Sequence, residues 1–329
     1  MPWKGEKDPY KIWISEIILQ QTRVQQGLEY YNRFITAWPD VNSLAAAKEQ
    51  EVYKLWEGLG YYSRCRNLIT SAKFISNDLH GKFPETYDGI LALKGIGNYT
   101  AAAIASFAFN LPYAVVDGNV FRVLSRFFGI ETPIDSTEGK KAFSRLAAEL
   151  IDRENPGEYN QAIMDFGAVV CKPVQPLCPE CLFQSECEAY RQDQVAMLPR
   201  KEKSIKQRQR FFNYLVIQHG DSIYVNQRRE KDIWQNLYEF ILLETEHLAS
   251  EDEFLRSPAL LSLLDKNHFS VDRISNISKQ KLTHQIITGR FFHLSLKKPA
   301  PALKKYKAVP VKDLLSLPFP KFITSYLQD

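Results

Sequence analysis

Four cysteines constrain this chain more than any other feature. Cys171, Cys178, Cys181 and Cys187 fall in a C-x6-C-x2-C-x5-C pattern within 17 residues. The one other cysteine, Cys65, stands far away, so the pattern is not the even framework of a small disulfide-stapled fold. Clustered thiolates are soft ligands that suit zinc or an iron–sulfur centre. Pro173, Pro176 and Pro179 shape a loop able to wrap four sulfurs around one point. Spacing alone leaves zinc and iron–sulfur both open. Cys65, between Arg64 and Arg66 on a predicted helix, reads as a small core or surface residue.

A chain of 329 residues suggests two domains. Its 45% hydrophobic and 24% charged residues are those of a globular protein and exclude a largely disordered one. The net charge of +4 permits a nucleic-acid partner without demanding it. No apolar run reaches the roughly 18 residues of a membrane span. The opening Met1-Pro2-Trp3-Lys4-Gly5 has no signal-peptide pattern. The expectation is a cytoplasmic protein with no membrane partner.

Hydrophobic periodicity divides the chain. Residues 1–195 read as a mostly α region, with helices over 12–35, 44–59, 61–79, 99–109, 120–128, 140–152 and 159–170. Residues 196–209 form a basic linker, with Arg200, Lys201, Lys203, Lys206 and Arg208 against Glu202. Such a run is ordinarily a solvated connector, and the sharper reading is one that also touches phosphates. Residues 210–329 read as a smaller α+β domain. Strands are expected over 211–218 and 222–228 around His219-Gly220-Asp221, and over 237–244. A second strand pair, 282–287 and 291–296, is expected around Thr288-Gly289. Helices are expected over 251–264 and, interrupted by Pro318 and Pro320, over 311–327.

Three stretches carry chemistry. Lys94-Gly95-Ile96-Gly97-Asn98-Tyr99-Thr100 joins two helices through Gly95 and Gly97, which let backbone N–H groups approach a phosphate at a helix N-terminus. Two glycines between helices are common in tight turns, so the signal is weak by itself. Glu16 lies among Trp13, Ile14, Ile17, Ile18 and Leu19, either as a solvated helix residue or as a buried general acid with a raised pKa. Asp117 follows Val115-Val116 and precedes Gly118, either as a helix N-cap or as a carboxylate facing a developing cation. Breaking a glycosidic bond needs both roles, one group to protonate the leaving group and one to stabilise the cationic sugar.

These motifs, in this order, resemble the helix-hairpin-helix glycosylases of the endonuclease III type, and more closely the adenine DNA glycosylases of the MutY family. Leu19-Gln20-Gln21-Thr22, Gly58-Leu59-Gly60-Tyr61-Tyr62, Val116-Asp117-Gly118-Asn119 and Asn160-Gln161-Ala162-Ile163-Met164-Asp165-Phe166-Gly167 carry the likeness, which covers nearly the whole chain. The resemblance implies one 4Fe-4S cluster rather than zinc on the four cysteines. It implies Glu16 as the acid that protonates adenine, Asp117 as the group that stabilises the cationic sugar, and Tyr99 and Asn119 as residues lining that site. A base inside a duplex must be flipped out before chemistry. Gln21 and Tyr61 match side chains that wedge into the stack. Gln20, Thr22, Leu59, Gly95 and Gly97 are the other DNA contacts implied.

The C-terminal domain resembles a Nudix-like module that recognises 8-oxoguanine, with Thr283-His284 matching the sensing pair. After Leu237-Tyr238-Glu239-Phe240 there is no R-E-x-x-E-E run, so metal-dependent nucleotide hydrolysis is not expected. Bifunctional relatives place a lysine where this chain has Tyr99, so a Schiff-base lyase step is not expected. The implied partner is double-stranded DNA holding adenine opposite 8-oxoguanine or guanine, bound by a monomer. Family members usually begin with a further helix before Leu-Pro-Trp-Arg. The start at Met1-Pro2-Trp3-Lys4 implies less packing behind Glu16. Leu282 stands where many members carry Phe, which implies altered discrimination of the oxidised base. Two rivals are a pyrimidine glycosylase/lyase of the endonuclease III kind, opposed by Tyr99 and the C-terminal domain, and a non-catalytic iron–sulfur DNA-binding protein, opposed by the Glu16 and Asp117 pair.

Overall fold

Local signals in the sequence start most of the helices. In the computed structural model, which describes residues 4–20, 22, 24–202, 206–264 and 269–328, Asp8 caps α1 (Pro9–Leu19) by accepting from the Tyr10 N–H, with Pro9 in the first turn. The long helical run expected over 12–35 is two helices. α1 ends at Gln20, whose ψ of 112° leaves the helical region, and α2 (Val24–Ala37) follows. A capping box of Asp40 and Ser43 opens α3 (Val41–Ala46), which α4 (Glu49–Trp56) follows. α5 (Tyr62–Asn77), α6 (Tyr87–Leu91) and α7 (Asn98–Phe109) lead to α8 (Gly118–Phe128), α9 (Thr137–Leu150), α10 (Pro156–Val169) and the short α11 (Glu188–Arg191). Two 3-10 turns, Cys178–Glu180 and Gln184–Glu186, shape the cysteine loop.

The chain divides into two compact units: Met1–Ala47 with Arg66–Ser204, and Lys48–Cys65 with Ile205–Asp329. In the first, α1 is buried along most of its length, from Tyr10 and Ile12 through Ile18, and α7 from Thr100 through Ser106. A helix without a solvent face belongs in the middle of a bundle. A second cluster packs Val120 and Leu124 of α8 against Phe143 and Ala147 of α9. Burying each large apolar side chain contributes roughly 1.5–3 kcal/mol.

The second unit is built on β1 (Arg208–His219), β2 (Ser222–Gln227), β3 (Tyr238–Thr245), β4 (Phe269–Ile274), β5 (Ser278–Lys281), β6 (Gln285–Leu296) and β7 (Lys307–Pro310). The order is β4-β6-β1-β3-β2-β7, with β5 also on β6. β1 and β6 run parallel from Arg208↔Gln285 to Gln218↔Ser295, and the other pairings are antiparallel. β1 is almost continuously buried from Phe212 to Ile217, as a strand covered on both faces must be. Leu215, Ile217, Phe292 and Leu294 pack on α12 (Glu251–Leu255) and α13 (Pro258–Leu263). Tyr214, Phe240 and Phe291 pack with Phe322 and Tyr326 of α14 (Lys321–Gln328).

Further features depart from the sequence reading: the helices expected over 44–59 and 251–264 are each two, and the one expected over 311–327 is a 3-10 turn followed by α14. The strand pair expected around Thr288-Gly289 is one strand, β6. Gly289 does not turn the chain: a Cβ there would sit 2.3 Å from the Phe212 carbonyl oxygen, so glycine permits β6 to lie against β1. The expected linker is only partly free. Ile134 N–H donates to Arg200 O at 3.0 Å, Glu202 N–H donates to Asp135 at 2.9 Å, and Arg200 pairs with Glu131 at 2.8 Å. Lys203 lies outside the described residues. Finally, Lys48–Cys65 belongs with the C-terminal residues: Asn236 Nδ2 donates to the Tyr53 hydroxyl at 2.9 Å, Lys54 Nζ to Leu317 O at 3.2 Å, and Phe319 N–H to Glu57 at 3.3 Å.

Candidate active site

Glu16 occupies the middle of α1, 9% exposed. Burial pushes its carboxyl up to about 7, the neighbouring Asp117 charge adds to the rise, and a hydrogen bond from Tyr99 opposes it. The Tyr99 phenol is itself held well above its ordinary value by burial and by Glu16. It also reaches Met164 Sδ at 3.7 Å.

Asp117 caps α8, as the structural reading of the sequence had it. Its Oδ1 accepts from Asn119 N–H and Val120 N–H, and its Oδ2 from Asn119 Nδ2, all at 2.8 Å. The cap leaves Asp117 near enough to Glu16 for its charge to raise that carboxyl. The Asn160–Gly167 motif explains itself here. Asn160, fully buried, accepts from Val115 N–H at 3.1 Å and donates to Tyr113 O at 2.8 Å and to the Ser106 hydroxyl at 2.9 Å, pinning the segment before Asp117. A Cβ on Gly167 would lie 2.7 Å from Asn119 Cβ, so glycine lets α10 close on the start of α8.

At the hairpin, Gly95 adopts φ +85°, open to glycine at little cost. Gly97 is the N-cap of α7 and has open space where a Cβ would point. Ser71 Oγ holds the turn by donating to Lys94 O at 3.0 Å. The first N–H groups of α7 thus follow a turn without a side-chain cap, at the positive end of the helix. Gln20 sits at the end of α1 and donates to Thr100 Oγ1 at 3.2 Å. Thr22 is half-buried and its N–H reaches Leu19 O at 3.1 Å. Gln21 lies outside the described residues.

In the second unit, Leu59 is buried and Tyr61 is 43% exposed in a left-handed conformation, φ +48°. The Tyr61 hydroxyl hydrogen-bonds Thr283 Oγ1 at 2.7 Å, and Arg64 lies over its ring at 4.8 Å. Thr283 and His284 form the tip between β5 and β6, where Gln207 Nε2 donates to the Leu282 and Thr283 carbonyls at 2.9 and 3.3 Å. His284 is exposed.

Cys171, Cys178, Cys181 and Cys187 all line one cavity of about 430 Å³, together with Arg126 and Phe183. Burial and the neighbouring thiols push the Cys178 thiol up. Among the described residues no group of three or more His, Cys, Asp or Glu side chains is drawn together enough to clasp a single metal ion. Zinc would draw its sulfurs in to about 2.3 Å. Four soft thiol donors on one cavity fit a thiolate-bound metal centre.

Two arginines of α8 escaped the sequence reading. Arg122 donates to Cys171 O at 2.7 Å, Gly167 O at 2.6 Å and Asn119 Oδ1 at 2.8 Å. Arg126 donates to Lys172 O at 2.7 Å and Leu198 O at 3.0 Å, and its Nη1 lies 3.5 Å from Cys171 Sγ. They bind the cysteine loop to the helix that Asp117 caps. The available signal was their i, i+4 spacing on a helix otherwise apolar but for Ser125, Val120 to Phe128.

Known proteins match both units. A family model described as "HhH-GPD superfamily base excision DNA repair protein" matches residues 14–150, and one described as "NUDIX domain" matches residues 213–329. The chain is similar to an adenine DNA glycosylase of Buchnera aphidicola subsp. Baizongia pistaciae, 34% identical over 86% of this chain and 78% of that protein. It is also similar to that of Mus musculus, 42% identical over 60% of this chain and 40% of that protein. Among solved structures, a thermostable thymine-DNA glycosylase aligns with a TM-score of 0.55 and 31% identity, covering 58% of this chain and 88% of that one. A trapped endonuclease III–DNA covalent intermediate aligns at 0.51 and 21% identity, covering 57% and 87%, which shows a shared fold. With a relative 34% identical along 78% of its length, this chain belongs to the adenine DNA glycosylase family.

Proposed function

We propose that this chain is a monofunctional base-excision glycosylase that releases adenine mispaired with 8-oxoguanine or guanine, acting as a monomer on duplex DNA. The observation that carries this reading is a buried carboxyl, Glu16, raised to about 7 beside Tyr99 and Asp117. Protonated near neutral pH, Glu16 gives its proton to a ring nitrogen of the extruded adenine. The C1′–N9 bond breaks, its electron pair leaves with the base, and the sugar becomes cationic. Asp117, oriented by three donors, stabilises that cation. Water then adds to C1′ and returns its proton to the Glu16 carboxylate. Tyr99 offers no amine at the site, which supports hydrolysis without strand cleavage.

Cys171, Cys178, Cys181 and Cys187 would hold one 4Fe-4S cluster. When bound, it ties four points of the loop to one centre and so adds folding energy. Gly95 and Gly97 would receive a backbone phosphate, while Gln20, Gln21, Thr22, Leu59 and Tyr61 contact the strands around the extruded base. Thr283 and His284 would read the oxidised base opposite. Among the described residues no helix is long and apolar enough to cross a membrane, and the cytoplasm is the proposed site of action.

Single-turnover release from a labelled duplex with adenine opposite 8-oxoguanine tests the reading. Adenine release, with strand breakage only after alkali, supports it. Breakage without alkali would overturn the monofunctional assignment, and excision of a pyrimidine instead would overturn the substrate.

A further inference from the structure

Thr100 lies in the first turn of α7, 2% exposed and followed by three alanines. A β-branched residue there forms a helix less readily than alanine would. A buried hydroxyl also needs a partner. Its partner is Gln20, whose Nε2 donates to Thr100 Oγ1 at 3.2 Å across two helices. Gln20 is the last residue before the chain leaves α1. One turn earlier on the same face of α1 stands Glu16, which Tyr99 hydrogen-bonds. Two consecutive residues of α7 therefore each hold one of two α1 side chains set a turn apart. The same turn of α7 begins at Gly97, open to approach from outside.

We infer that Thr100 is a positioning residue, which fixes the Gln20 amide at the end of α1 and so sets, from the first turn of the hairpin helix, the Gln20 contact with the duplex beside the extruded base. This rests on the duplex-glycosylase reading above. Thr100 touches no reacting atom, so it acts on extrusion of the base and not on bond cleavage. Tyr99, one residue earlier, is the one that hydrogen-bonds the Glu16 carboxyl, and it favours the ionised form.

The test uses the full chain and two readouts: fluorescence of 2-aminopurine placed opposite 8-oxoguanine, which reports extrusion, and single-turnover adenine release across pH. Thr100→Val removes the acceptor and nearly preserves shape, whereas Thr100→Ser keeps it. The Val variant is expected to lose about threefold to tenfold in both readouts, the range of one ordinary net hydrogen bond. Its pH profile should keep the wild-type midpoint, and the Ser variant should behave as wild type. Gln20→Ala should cost a similar factor, and the double variant no more than either single one. Additive losses, a Val variant equal to wild type, or a displaced pH midpoint would each overturn the inference. A Val variant with a collapsed melting temperature is replaced by the Ser variant and Gln20→Ala, where loss in Ser or none in Ala overturns it equally. If the wild type neither extrudes nor releases a purine, the glycosylase reading itself fails. If it does both and the variants match it, only the role of Thr100 fails.

Discussion

Glu16 is an acid whose strength is a property of its surroundings. Its folded carboxyl is raised from 4.5 to about 7, so the folded state holds the proton more tightly than the unfolded chain does. The stability linked to that proton is fully present below about pH 4.5 and is lost as pH rises through about 7. Glu16→Gln should therefore melt with wild type at pH 4 and above it at pH 8, by an amount on the order of 2–3 kcal/mol. The same change should lower adenine release by about 100-fold or more at pH 7, the usual worth of a positioned acid. A variant as active as wild type would remove Glu16 from the chemistry. Asp117 allows a cleaner separation. Asparagine caps helices as well as aspartate, so Asp117→Asn should leave the melting temperature within about 2 °C of wild type. Base release should nonetheless be largely lost, because the negative charge opposite the sugar is gone. A large fall in melting temperature would show that the carboxylate serves α8 rather than the substrate.

At the level of elements, two glycines make separable predictions from different causes. Gly95→Ala forces an alanine to φ +85° and sets its Cβ 2.5 Å from Asn67 Cβ. A loss of about 1–2 kcal/mol in stability is expected from the left-handed backbone alone, together with weaker duplex binding. Gly289→Ala drives a Cβ against the Phe212 carbonyl between β6 and β1. It should destabilise by about 1–3 kcal/mol, while the hairpin that carries Gly95 and Gly97 is untouched. Denaturant melts of both variants, with binding to an undamaged duplex, tell them apart. The cysteine loop is testable by composition. Elemental analysis should return about four irons per chain, as a 4Fe-4S cluster requires, and Cys187→Ser should lose most of the iron and visible absorbance. Zinc in place of iron would overturn the cluster assignment. The helices that Asp8, Asp40 and Ser136 cap each begin three residues before the start expected from periodicity, because the cap and first turn are mostly polar and carry little apolar signal. The single strand β6 was not legible in advance, because only the neighbouring β1 backbone explains why Gly289 is there.

For the whole molecule, the division of the chain has a consequence. Lys48–Cys65 contributes Tyr53, Lys54 and Glu57 to the unit otherwise formed by Ile205–Asp329. A fragment beginning at residue 206 would lose those hydrogen bonds and the cover from Val52, Tyr53 and Trp56, each at most 2% exposed. It should melt well below the intact chain and be cut faster by protease. Supplying residues 48–65 on a flexible tether should restore part of that loss. A fragment as stable as the whole would show that the segment merely rests against the sheet.

The order of motifs along the chain, the four cysteine positions, the absence of a lysine at Tyr99 and the switch from helix to strand near residue 208 were all determined by the sequence alone. Each is a matter of residue type at short spacing, which local chemistry dictates. The acidity of Glu16 was decided only by the tertiary structure, because burial by α7 and the charge of Asp117, 101 residues later, set it. The same holds for the meeting of Tyr61 with Thr283, 222 residues apart, and of Arg122 with the cysteine loop. Desolvation and hydrogen bonding depend on what packs nearby in space, and no spacing along the chain encodes that.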